Sequence, residues 1–140
     1  MGNNHYLNIL FQVGKSLFLV SSEYVSDIQY IPDSVTELPK APLYMRKTCN
    51  SFGRVITMID IGLLLGVKEN TCPGKLIILN PPTKGIMVDN VLSVEHTEQF
   101  KEIEKSFAVP PIIKNFYVRT GRKEIILEVD IPNLLHRTTQ

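Results

Sequence analysis

The chain has 140 residues, 44% hydrophobic and 21% charged, with fifteen basic residues against fourteen acidic and a formal net charge of +1. That length and composition suit one compact unit with a buried core and exclude a disordered chain. The even charge balance argues against a nucleic-acid surface, and the apolar runs are far shorter than the ~20 residues that cross a bilayer.

Strand signals dominate the chain from its start. Residues 6–13 are rich in aliphatic and aromatic side chains, and Gly14-Lys15 turns the chain into a second strand over 16–21. Residues 25–31 form a third strand, stopped by Pro32. The segment 33–42 carries two further prolines and reads as a loop, and 43–47 reads as one helical turn opened by Pro42. Residues 54–59 form a strand that runs into Asp60. Gly66 closes the short helix that follows, and 67–74 is a polar crossover. Residues 75–80 and 84–90 are strands joined by the turn Asn80-Pro81-Pro82-Thr83, and 91–97 continues the sheet. The charged stretch 98–105 reads as a helical turn or exposed loop. Residues 113–119 and 123–129 make a last hairpin around Thr120-Gly121-Arg122. Gly14, Gly53, Gly85 and Gly121 read as turn residues.

One pattern occurs twice, seventy residues apart: Asp60-Ile61-Gly62-Leu63-Leu64-Leu65 and Asp130-Ile131-Pro132-Asn133-Leu134-Leu135. Each copy follows an apolar strand. Aspartate is a favoured N-cap because its carboxylate accepts orphan backbone N–H bonds, so both copies read as a strand ending in a capped helix whose Leu pair folds back as a plug. The expected fold is all-β: two small five-stranded barrels packed together, with short capping helices. The chain 1–140 would be a single unit, with approximate subdomains 14–74 and 75–140 whose terminal segments can exchange.

No catalytic constellation emerges. His5, His96 and His136 have no metal-ligand partner at helical spacing. Cys49 and Cys72 form no metal or redox pair and read as reduced thiols of a cytosolic protein. The glycines make neither a dinucleotide fingerprint nor a phosphate loop. The N-terminal residues carry no basic, apolar signal pattern. The expected class is a binding module with no cofactor and no metal, neither an enzyme nor a nucleic-acid binder.

Five segments, in order, resemble the CheW-like domain family of signalling adaptors. Gly53-Arg54-Val55-Ile56-Thr57-Met58-Ile59-Asp60-Ile61 is similar to the family's G-x-V-I-P-V-I-D-L. Ala41-Pro42-Leu43-Tyr44-Met45-Arg46 is similar to its A-P-x-F-I-K turn, and Ile28-Gln29-Tyr30-Ile31 to its V-x-E-I strand. Gly85-Ile86-Met87-Val88-Asp89-Asn90-Val91 resembles G-I-x-V-D-x-V, and residues 126–135 resemble its closing L-L-D-I-x-x-L-L. The resemblance implies two barrels around a shared apolar core, no catalysis, and a cytoplasmic adaptor without membrane insertion. Its implied partners are a CheA-type histidine kinase, met through barrel surfaces, and a methyl-accepting chemoreceptor, met in the groove between barrels. Alternatives are a divergent two-barrel scaffold for pilus-motility or other arrays, and a small-ligand-binding barrel.

Departures from the family pattern occur at four positions. Phe52 stands where an arginine is usual, Gly62 replaces a second arginine, Tyr30 a glutamate and Thr57 a proline. The residues expected to meet partners are Ile28, Tyr30, Asn50, Phe52 and Gly53.

Overall fold

The structure is a computed structural model that describes residues 7–66, 72–104, 110–119 and 121–139. His5, Thr120 and most of the expected crossover over 67–74 lie outside the described residues. The described strands are β1 (Leu7–Val13), β2 (Ser16–Ser21), β3 (Val25–Tyr30), β4 (Val35–Glu37), β5 (Lys47–Ser51), β6 (Arg54–Asp60), β7 (Lys75–Leu79), β8 (Lys84–Val88), β9 (Asn90–His96), β10 (Phe100–Ile103), β11 (Ile113–Arg119) and β12 (Ile125–Val129). Two short helices follow β6 and β12: α1 (Ile61–Leu65) and α2 (Ile131–Arg137).

These strands form two six-stranded sheets. The first has the order β10-β11-β12-β2-β1-β9 and the second β3-β7-β8-β6-β5-β4. The second sheet takes consecutive strands from the middle of the chain. The first combines the N-terminal hairpin with the C-terminal strands. Both sheets are mixed, because β12 runs parallel to β2 and β6 runs parallel to β8.

The expected five-stranded closed barrels are corrected here: each sheet has six strands, and neither described ladder closes on itself. The added strands are polar. β4 lies in the expected loop 33–42, β5 follows the single helical turn, and β10 replaces the expected loop or turn over 98–105. The helical turn over 43–47 is a 3₁₀ turn confined to Leu43–Met45.

Each sheet nevertheless curls. Side chains alternate across a strand, so one face of each sheet can serve a shared core and the other a private one. The shared core includes Ile9, Phe11, Phe18 and Val20 from one sheet and Ile59, Ile77, Leu79 and Ile86 from the other. Leu10, Leu19, Phe100 and Ile126 fill the concave side of the first sheet, and Ile56, Met58, Leu76 and Ile78 that of the second. Side-chain links bridge strands that are not ladder neighbours. Glu95 on β9 pairs with Arg119 on β11, and Ser51 Oγ on β5 donates to Gln29 Oε1 on β3 at 2.7 Å.

Gly85 is not a turn residue. It is buried within β8, and a Cβ there would stand 2.8 Å from Leu76 Cδ1, so the absent side chain lets β7 pack across it.

Candidate functional site

The two aspartates do the same job in the two halves. Asp60 Oδ1 accepts the Leu63 N–H at 3.0 Å, and Asp130 Oδ1 accepts the Asn133 N–H at 3.1 Å. Each satisfies one orphan donor of the first helical turn. Ile61 and Ile131 are fully buried in the shared core, as is Leu134, while Leu64, Leu65 and Leu135 pack against it. Gly66 ends α1 in the left-handed region at φ 73, where a Cβ is costly. The pair are structural caps, and no acid–base dyad is formed.

The helix ends differ. Lys84, the first residue of β8, donates from Nζ to the carbonyl oxygens of Thr138 at 2.9 Å and Leu135 at 3.3 Å, and to Thr138 Oγ1 at 3.1 Å. This clasps α2, which follows the first sheet, onto the second. Burial pulls the Lys84 ammonium below its ordinary pKa, and the helix C-terminal carbonyls favour the positive charge. The crossover between β8 and β9 is pinned as well. Asp89 Oδ2 accepts the Gly14 N–H at 3.0 Å, and the Asp89 N–H donates to Gln12 O at 2.9 Å.

The five expected partner residues fall in two places. Ile28 and Tyr30 share one face of β3. Ile28 is half-buried against the shared core, whereas Tyr30 is 75% exposed with Lys75 Nζ 4.7 Å from its ring centroid. Gln29, between them, faces the private core side and meets Ser51. Asn50, Phe52 and Gly53 form the tip of the β5–β6 hairpin. Ser51 pairs with Arg54, so Phe52-Gly53 is a two-residue loop, and φ values of 52 and 79 are those of a type I′ turn. Asn50 Oδ1 accepts the Gly53 N–H at 3.1 Å and holds the turn. Phe52 is 92% exposed. A small cleft beneath it is lined by Ser26, Asp27, Arg54 and Pro82, so the tip stands beside the start of β3.

A groove beside the first sheet and the end of α1 is not apparent from the sequence. Phe18 of β2, Ile113 and Phe116 of β11, Ile125 and Leu127 of β12, and Leu65 at the end of α1 line an apolar recess of about 280 Å³. Each of these residues reads in sequence as ordinary core, and the only local hint was the Leu pair placed after a capping aspartate.

Two curled mixed sheets locked across a shared core by paired aspartate-capped helices define an all-β two-sheet module. A family model described as the CheW-like domain matches residues 8–139, and the chain belongs to that family. Among solved structures, the fold is similar to the scaffolding protein TtCheW from Thermoanaerobacter tengcongensis. The TM-score is 0.72 at 16% identity, with 90% of this chain and 89% of that chain covered. No curated protein matches the sequence. Among the described residues, no helix is long and apolar enough to cross a membrane. No cluster of three or more His, Cys, Asp or Glu among them is placed to hold a metal.

Proposed function

We propose that this protein is a non-catalytic, cytoplasmic signalling adaptor that couples methyl-accepting chemoreceptors to a CheA-type histidine kinase. The observation that carries this reading is the CheW-like family match over residues 8–139, which spans both sheets and both helices. Similarity in fold to a structure described as a scaffolding protein supports it. In this reading the β5–β6 tip, with Asn50, Phe52 and Gly53, meets the kinase's own CheW-like domain. Ile28 and Tyr30, on the shared-core face of β3, meet the receptor. The adaptor transmits a signal because kinase and receptor contacts on one rigid body let receptor state bias kinase state, which requires a contact that differs between those states. Phe52 in place of arginine exchanges a charged donor fork for an apolar ring, so the kinase contact depends little on salt.

The test is a calorimetric titration of this chain against the CheW-like domain of a CheA-type kinase from the same cell. Saturable binding that Phe52→Asn weakens supports the reading. Absence of heat with every such kinase domain overturns it.

A further inference from the structure

Tyr30 and Lys75 stand opposite each other on one rung of the second sheet, at the end of β3 and the start of β7. Lys75 Nζ lies 4.7 Å from the Tyr30 ring centroid, a cation–π contact. The backbone pairing continues past this rung, because the Ile31 N–H donates to Gly74 O at 3.2 Å. The ring is therefore held in place, yet it is 75% exposed. An aromatic ring fixed before binding loses little entropy on docking, and tyrosine is among the residue types that dominate interface energies.

The pair presents one positive charge and two donors side by side, the ammonium and the phenol O–H. Among the described residues, Lys75 joins no ion pair. The Asp27 carboxylate on β3 is turned to its own strand, where Oδ1 accepts the Ile28 N–H at 2.8 Å. A glutamate is usual at position 30 in the family pattern. In this chain it would face Lys75 across the rung and cancel its charge. Tyrosine leaves that charge standing and orients it, so this corner of β3 is positive. Ile28, on the same face and half-buried against the shared core, adds an apolar surface beside it.

We propose that the receptor segment that docks on β3 presents an acidic side chain to Tyr30 and Lys75, next to an apolar one on Ile28. This rests on the adaptor reading and names the receptor chemistry that the site takes. A carboxylate accepts from both the ammonium and the phenol, a charge-assisted arrangement. A lysine or arginine at the same place meets a like charge, which is unfavourable. The pair thus selects one class of receptor and rejects another.

Calorimetric titration of the full chain with cytoplasmic fragments of chemoreceptors from the same cell tests this, at low and high salt. Lys75→Met, Lys75→Glu and Tyr30→Glu are the variants, with a circular-dichroism melt to check folding. The wild type binds a fragment, and more weakly at high salt. K75M is less salt-dependent, and K75E and Y30E each bind about tenfold more weakly. Receptor acids are then replaced by lysine one at a time. One replacement weakens binding to the wild type and restores binding to K75E. A wild type that binds while K75E binds equally well, or a scan that finds no such acid, overturns the proposal and leaves the adaptor reading standing. A wild type that binds no fragment overturns both. If K75E melts lower, the acid scan against the wild type decides alone.

Discussion

Lys84 and Phe18 occupy the same place in the two halves of the molecule. Lys84 lies opposite Thr57 in the parallel β6–β8 pair, and Phe18 lies opposite Leu127, seventy residues beyond Thr57, in the parallel β12–β2 pair. On one side the ammonium grips the end of the seven-residue α2, and on the other the phenyl ring is fully buried in the shared core, beneath the apolar recess beside the five-residue α1. Among the described residues, the repeat thus gives one helix end clasped by a polar side chain and one end flanked by apolar side chains.

Replacing Lys84 by methionine keeps the apolar stem and removes the donor to Thr138 and Leu135. Hydrogen bonds to charged groups are worth about 1.5–3 kcal/mol, so K84M loses unfolding free energy in that range and unfolds at a lower denaturant concentration. The slope of the transition stays unchanged, because the same surface is exposed on unfolding.

The capping aspartates give a matched pair of tests. Asp60→Ala and Asp130→Ala each lose about 0.5–2 kcal/mol in equilibrium denaturation, the usual worth of an N-cap. Leu63, 53% exposed on α1, is the control: Leu63→Ala changes stability by about 0.5 kcal/mol or less.

These caps were legible in sequence because an N-cap is local chemistry: aspartate, then a buried isoleucine, then a Leu pair at helical spacing. The apolar strands were legible for the same reason. β5 and β10 were not, since Lys47-Thr48-Cys49-Asn50-Ser51 and Phe100-Lys101-Glu102-Ile103 carry weak strand signals and are fixed by the neighbours they pair with. The curl of the sheets depends on contacts such as Gln29–Ser51, twenty-two residues apart, which no local pattern encodes. Phe52 was recognised as a departure, but its left-handed backbone and full exposure needed the hairpin register. The groove was hidden because its lining comes from four elements scattered through the chain.

Phe52→Asn places a residue tolerant of the left-handed region at the tip. A left-handed conformation costs an ordinary residue roughly 1–2 kcal/mol, and F52N recovers much of that cost. Its melting temperature rises by a few degrees.

Tyr117 sets an alkaline limit on stability. Burial, then repulsion from the Glu128 carboxylate that accepts its hydroxyl at 3.1 Å, pushes its pKa above the ordinary 10.0. The folded chain therefore keeps this proton at pH values where the unfolded chain has lost it. Stability from this group is complete below pH ~10 and falls as pH rises beyond it, because the unfolded state then binds fewer protons. Denaturation midpoints taken from neutral to strongly alkaline pH fall less steeply in Tyr117→Phe than in wild type.

The central claim is that this two-sheet unit joins a kinase to a receptor, and one measurement reaches it directly. Kinase autophosphorylation is followed in membranes containing receptor and CheA-type kinase from the same cell, with and without this chain. Receptor ligand changes the kinase rate when the chain is present and leaves it unchanged when the chain is omitted. A rate that responds to receptor ligand equally well without the chain, or never responds with it, contradicts the account.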